Sequence, residues 1–397
     1  MKKKMLSKLA AVMLSVSMVT VLMAGCASGG GKETDTKQSA AESKQETDAP
    51  AETEAAATDE ATQAAETEAN SPEVSGERFK IALSNSFMGN DWRQLMIKTT
   101  QVVAEKEPYA DKVQLDIVTC ENTAEAQAAS IDALVEKGYD AILINAASAT
   151  ALIPALNRAT EAGIVIVTFD NTVEAEGVYR VSTDLANLSR AWARYLVAQC
   201  GDGANLIMDT GIAGSTSGNV MYEAAMEVFE EHNMNIVSEF ASEYADGVGQ
   251  EQISSVLAAN AEIDGVYSLC YADTVYNAFT DAGRDLVPTT SFNTNSGMIA
   301  AFDNKMDILI GNNIPGLGAV AMSVAVDVLE GKTVDQEVLI EGGLFTNDTS
   351  VDVGFETIQL EENVTFFRDL PDAFDYPVLP ADFEPQVEAK EVADYQP

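Results

Sequence analysis

The stretch that decides the fold is "LSNSFMGNDWRQL", residues 83–95. It begins apolar, passes through Ser84, Asn85, Ser86, Gly89, Asn90 and Asp91, and then sets Trp92 beside Arg93. A buried strand has no need of the asparagines, and a plain loop has no need of the tryptophan. Both ends make sense if a strand, "FKIALSNS" (79–86), hands over to a loop and a helix starts at Asn90 and Asp91. A short acceptor side chain and an acidic first turn satisfy the free N–H groups of a helix start. The apolar positions Trp92, Leu95, Met96, Thr99, Val102 and Val103 then recur at helical spacing.

The same unit repeats downstream. Strands are predicted at 113–120, 141–147 and 165–171; with 79–86, the first two of these are short runs rich in Ile, Val and Leu, as for parallel strands covered on both faces. Further strands are predicted at 205–211, 235–241, 265–271, 289–293 and 307–313. Amphipathic segments lie between them, such as "AEAQAASIDALVEKGYD", which ends at Gly138, and "SATALIPALNRATEAGI", which ends at Gly163. Strand–helix alternation on this scale exceeds one modest core and predicts two similar α/β lobes. Open α/β sheets bind ligands beyond the carboxyl ends of their strands.

The residues at those ends are amides, hydroxyls, aromatics and an occasional carboxylate, with few acid–base pairs. They run Ser86, Asn90, Trp92 and Arg93, then Asn145, then Asp170 and Asn171, then Asp184. The second half adds the stretch from Gly211 to Asn219, Tyr244, Tyr271 to Asp273, Phe292 and Asn293, and Asn312 and Asn313. This chemistry suits a polyhydroxylated ligand. Carboxylates accept from hydroxyls, Asn both donates and accepts, Arg donates in a fixed geometry, and aromatic rings pack on apolar C–H faces.

Composition excludes other classes. Sixty-three acidic against 23 basic residues give a net charge of -40, which argues against nucleic acid. A serine or cysteine triad would need His232, the one histidine, which sits in "FEEHNMN" and reads as a polar helix end. A carboxylate pair for glycoside cleavage, Asp170 with Asp273, is the enzyme alternative and the less favoured one. "GIAGSTSGN" precedes a helix but lacks the Lys of a phosphate loop. No metal site or cofactor is expected; Cys120, Cys200 and Cys270 read as buried thiols.

The chain starts with basic residues, an apolar run too short for a span of ~20 residues, and "LMAGC". That junction resembles a bacterial lipoprotein box, which makes 1–25 a signal peptide and Cys26 the lipidated residue. Residues 26–77 are nearly all small, polar and acidic and read as a disordered tether.

Taken together, "IALSNSFMGNDWRQ", "AILINAASATAL", "IVIVTFDN", "VSTDLANLSR", "GIAGSTSGNVMYEAAM", "SFNTNSGM" and "IGNNIPGLGAVA" resemble, in order and spacing, the ribose/galactose-type periplasmic sugar-binding proteins. The resemblance covers roughly residues 78–345. It implies the type I periplasmic binding protein fold, two doubly wound α/β lobes joined by three crossovers, closing on a monosaccharide and docking on an ABC importer permease. It implies a first lobe of 78–183 plus 314–343, a second of 184–313 plus 344–361, a tail of 362–397, and a monomer. Ser86, Asn90, Trp92, Arg93, Asn145 and Asp170 would face the ligand from the first lobe. Ile212, Asn219, Tyr244, Tyr271, Asp273, Phe292 and Asn293 would do so from the second, with Asn313 at a crossover. Asn171 and Asn293 stand where the family often has Arg and Asp. Trp92-Arg93 resembles the subgroup that takes furanose sugars. A sensor that presents the sugar to a membrane chemoreceptor or kinase would share the same pocket.

Overall fold

In a computed structural model of the chain, residues 78–86, 88–212 and 215–396 are described. All of them lie in one structural unit, Ser71–Pro397. The expected signal peptide, Cys26 and tether fall outside the described residues, as do Phe87, Ala213 and Gly214 of the strand-end loops.

The first half runs β1 (Phe79–Asn85), α1 (Asp91–Ala104), β2 (Val113–Thr119), α2 (Ala124–Glu136), β3 (Ala141–Asn145), α3 (Ile153–Glu161), β4 (Val165–Phe169) and β5 (Val178–Thr183). The second runs α4 (Leu185–Cys200), β6 (Asn205–Asp209), α5 (Thr216–Glu231), β7 (Asn235–Phe240), α6 (Asp246–Ala259), β8 (Gly265–Tyr267), α7 (Ala272–Asp281), β9 (Thr289–Phe292), α8 (Asn295–Asp303) and β10 (Ile308–Gly311). Then come α9 (Leu317–Leu329), β11 (Glu337–Ile340), β12 (Leu344–Thr346), β13 (Ile358–Gln359) and α10 (Ala389–Asp394).

The strands form two sheets, ordered β11-β5-β4-β3-β1-β2 and β13-β12-β10-β9-β8-β6-β7. All named pairings are parallel except β10 with β12. Alternate residues of each central strand feed opposite cores, the pattern of a sheet covered on both faces. Ile81, Leu83, Leu143 and Val167 pack under α1 and α9, whereas Ala82, Ile142, Ile144 and Ile166 pack under α2 and α3. In the second sheet Leu206 and Met208 face α4 and α5, and Ile207 and Val266 face α6 and α7.

Caps fix where the helices begin. The side chains of Asn90, Thr123, Asp184, Ser215 and Thr294 accept the backbone N–H three residues on, each worth about 1 kcal/mol. Gly138 and Gly163 end α2 and α3 in the left-handed region, as their positions predict.

The chain passes between the sheets after β5, after β10 and after β11. The last two passages touch: Asn312 N–H donates to the Gly343 carbonyl at 3.0 Å, and a Cβ on Gly342 would collide with the Asn312 carbonyl. Glycine is the residue that lets the two segments lie this close.

Several expectations need correction. The strand predicted at 265–271 stops at Tyr267, because Leu269 N–H turns inward to Asp209 and Cys270 N–H to the Ser268 hydroxyl. Strand β5, "VYRVST", is half-buried, carries Arg180, and was not anticipated. Cys120 and Cys200 are half-buried rather than buried; Cys270 is buried, and all three are free.

The segment after 361 is part of both cores. Phe366 is fully buried in the second lobe, while Leu370, Phe374, Val378, Leu379 and Val392 enter the core of the first. Asn295 holds it with both ends of its amide, donating to the carbonyls of Phe367 (2.7 Å) and Leu370 (3.2 Å) and accepting from Phe367 N–H (2.9 Å). Helix α10 then packs on α1, where the Tyr395 hydroxyl donates to Glu105 at 2.6 Å.

Candidate functional site

The carboxyl ends of both sheets meet around a cavity of about 300 Å³. That volume is at the small end of small-molecule sites. From the first lobe, Ser86 follows β1, Asn90 caps α1, and Trp92 and Arg93 form the helix's first turn; Ala146 and Ala147 follow β3. Asp170 and Asn171 follow β4, and Asn313 comes from the crossover after β10.

Asp170 is the polar centre of this wall. It sits at φ 58°, a left-handed conformation that Asp tolerates better than most residues. Its Oδ1 accepts from the Asn313 amide (3.2 Å), and its Oδ2 from the amides of Asn145 and Asn171 (3.1 Å each). The Arg93 guanidinium lies 3.9 Å from Oδ2 and donates to the Asn85 side-chain oxygen at 2.7 Å. Burial holds the Arg93 guanidinium below its ordinary range, and Asp170 opposes that shift. Arg93 is therefore a buried donor fixed between two acceptors and not a surface cation.

Asn313 ties this wall to the hinge. Its carbonyl accepts the Trp92 indole N–H at 2.7 Å, and its side-chain oxygen accepts the Thr183 hydroxyl at 2.6 Å. Trp92 is half-buried, with its ring against the first-lobe core and on the cavity wall.

The second lobe contributes Ile212, Ser215, Ser217, Tyr244, Tyr271, Phe292 and Asn293. A buried carboxylate organises the strand-end loops that carry Ile212, Tyr244 and Tyr271 and the loop that leads into α5. Asp209, at the end of β6, is fully buried. Its Oδ1 accepts from the N–H of Gly211 (2.9 Å) and Ser242 (3.0 Å), and its Oδ2 from that of Leu269 (3.0 Å). These bonds pin the loops after β6, β7 and β8 to one point. Burial raises the Asp209 pKa, and the N–H groups pull it back.

Tyr244, with φ 53°, hangs from the second of these loops. Its ring lies 6.1 Å from that of Phe292, and burial pushes its hydroxyl up to about 12. A Cβ at Gly211, whose φ is 67°, would strike the Tyr244 hydroxyl, so the two loops fit only with glycine there. Phe292 is held from behind by Trp192, edge to face at 5.1 Å.

Four residues expected at the site do not line this cavity. Asn145 is fully buried beneath it, bonding Asp170 and Asn171. Asp184 caps α4 through Asn187. Asn219 is exposed on α5, whose first turn presents Ser215 and Ser217 instead. Asp273 lies in an adjoining recess with Asp91, Asp246, Asp372 and Asp375, where burial raises its pKa. It does not face Asp170 across the main cavity, so the pair considered for glycoside cleavage is not assembled there. Sequence reasoning missed Asn122, Leu185 and Asp375 and the supporting roles of Asn85 and Asp209, and it reached Ser215 and Ser217 only as part of the stretch from Gly211 to Asn219.

His232 sits at the far end of α5 beside Asp202, 2.9 Å away. Among the described residues no group of three or more His, Cys, Asp or Glu side chains is placed to hold a metal ion. Nor is any helix among them long and apolar enough to cross a membrane.

The chain is similar to the ribose import binding protein RbsB of Bacillus subtilis (strain 168), 23% identical over 275 residues that cover 67% of this chain and 88% of that protein. It is also similar to the crystal structure of an ABC transporter solute binding protein from Thermobispora bispora DSM 43833. That match has 28% identity and a TM-score of 0.61, covering 67% of this chain and 85% of the other. The arabinose ABC transporter component from Shewanella sp. ANA-3, bound to α- and β-L-arabinofuranose, superposes with a TM-score of 0.61 at 19% identity, over 68% of this chain and 93% of that one. Residues 81–333 match the model of the family described as the periplasmic binding protein domain, and the chain, with two parallel-stranded lobes around one cavity, belongs to that family.

Proposed function

We propose that this chain captures one monosaccharide between its lobes and delivers it to the permease of an ABC importer. The observation that carries this is the cavity: about 300 Å³, walled by Trp92, Tyr244, Tyr271 and Phe292, with Asp170 held among three amides beside Arg93. Aromatic faces take the C–H side of a sugar ring, while fixed acceptors and donors take its hydroxyls. A pentose or a hexose, furanose forms included, is the ligand class. The relatives carry the names of binding proteins, and the chain acts here as a binder and not as a catalyst. Both lobes line the cavity, so a ligand touching both favours the closed arrangement by its differential contacts.

Cys26 is the lipid attachment point that holds the protein on the extracytoplasmic face of the membrane. Cys26→Ser releases the protein into the medium; a variant that stays with the membrane fraction refutes the anchor.

Native mass spectrometry of the purified chain, followed by a thermal-shift screen of pentoses and hexoses, tests the ligand class. A bound sugar mass or a melting rise of several degrees with one sugar is expected. A response confined to amino acids or nucleosides overturns the substrate class while leaving the fold untouched.

A further inference from the structure

The tail places a carboxyl in the cavity from outside the matched family region. Asp375 lies 42 residues past the end of that match (375 − 333 = 42) and lines the cavity beside Trp92 and Tyr271. Its relative exposure is 4%, and its Oδ1 is buried with no hydrogen-bond partner. No ion pair reaches it among the described residues.

The backbone on both sides is fixed. Phe374 carbonyl accepts Asn295 N–H at 2.8 Å, Tyr376 carbonyl accepts the Asn293 amide at 3.1 Å, and Pro377 carbonyl accepts the Asn312 amide at 3.0 Å. Three asparagines of the second lobe and the hinge therefore set where Asp375 stands. A buried acceptor left without a partner is uncommon and persists where something else supplies the donor. Asp170, the other carboxylate on the cavity wall, already accepts three amide bonds, whereas Asp375 Oδ1 has its whole accepting capacity free.

We propose that Asp375 is a specificity-determining ligand contact whose carboxyl hydrogen-bonds one hydroxyl of the bound sugar. This rests on the reading of the cavity as a monosaccharide site. The tail then selects among sugars by the position of a hydroxyl, while the lobes supply the ring contacts. Deep burial raises the pKa of this carboxyl well above the ordinary carboxylate range, and the nearby Asp91 adds to the shift.

The test is calorimetric titration of the full chain with D-ribose, D-allose, L-arabinose, D-galactose, D-fructose and D-glucosamine. Asp375→Ala and Asp375→Leu follow, together with single-deoxy forms of whichever sugar binds the wild type. Leu keeps the branched outline of Asp, is bulkier by its two methyl groups and removes the unpartnered oxygen, so it covers the case in which Ala leaves a void. Both variants are expected to weaken the preferred sugar by about tenfold or more, the scale of a hydrogen bond to a buried acceptor. For one deoxy sugar that penalty should vanish. A penalty equal for every deoxy form makes Asp375 a mere spacer and overturns the proposal. Unchanged affinity in both variants overturns it while the sugar-binding reading stands. Binding of D-glucosamine alone, lost with either substitution, assigns a charge pair in place of a hydroxyl contact and also overturns it. If no sugar binds the wild type, the reading of the cavity fails first.

Discussion

Replacing Asp209 with alanine should cost the second lobe stability and cost the site its shape. The side chain accepts three buried backbone N–H groups, from Gly211, Ser242 and Leu269, at 2.9, 3.0 and 3.0 Å. Each donor left unpaired costs about 1–3 kcal/mol, so the gross loss is about 3–9 kcal/mol. Relief from keeping a desolvated carboxyl in the core offsets several kcal/mol of this. The net expectation is about 3–5 kcal/mol, read as a lower urea midpoint at unchanged slope. Asp209→Asn should fall between. Its carboxamide oxygen can still serve Gly211 and Ser242, but its amide then meets the Leu269 N–H, donor against donor. Because Ile212, Tyr244 and Tyr271 ride on the three pinned loops, sugar affinity should fall in the same order. A midpoint within experimental error of wild type for Asp209→Ala, or Asn more damaging than Ala, would refute the pinning argument.

Three further outcomes are expected. Trp92→Ala should weaken sugar binding by about 1–3 kcal/mol with little loss of fold; unchanged affinity in calorimetry moves the ring to a purely structural role. Removing the chain after Glu361 strips Phe366, Leu370, Phe374, Val378, Leu379 and Val392 from the two cores. At about 1.5–3 kcal/mol each, their gross burial rivals the net stability of a whole domain. The truncated protein should aggregate, and a soluble product with a cooperative melt counts against the tail being part of the fold. Melting temperature should also fall as pH rises above the ordinary carboxyl range. Asp209, Asp273 and Asp375 have raised pKa values in the folded chain. Unfolding therefore releases their protons above the ordinary carboxyl range, near pH 4, and the stability they contribute at low pH is lost as pH climbs to the folded values. Asp375→Asn should flatten this slope, and a slope identical to wild type excludes Asp375 from it.

The sequence makes the strand–loop–helix unit at 83–95 legible because buried parallel strands are continuous apolar runs and helix caps are local signals. Asn90 accepts Arg93 N–H at 3.0 Å, as its place before the helix predicts. Length limits the rest. Strands β11, β12 and β13 have four, three and two residues, too few to show a period. Strand-end chemistry is only half readable, since a residue at a strand end can face the cavity or lie beneath it. Asp170 lines the wall while Asn145, at the end of the neighbouring strand, supports it from below. Asp375 carries no local signal at all. Its place depends on asparagines some 60 to 80 residues earlier in the chain.

The first lobe's core has a temporal consequence. It contains both Ile81 and Val392, which are 311 residues apart (392 − 81 = 311). At about 5–20 residues per second, the second of these leaves the ribosome roughly 15–60 s after the first. For most of that interval β1, β3 and β4 have no α9 to lie under, and contacts of such long range close slowly even once all their partners have been made. The first lobe therefore cannot complete its core until α9 and the tail segment have been made. The same delay leaves its most apolar strands in need of a holding partner over that time.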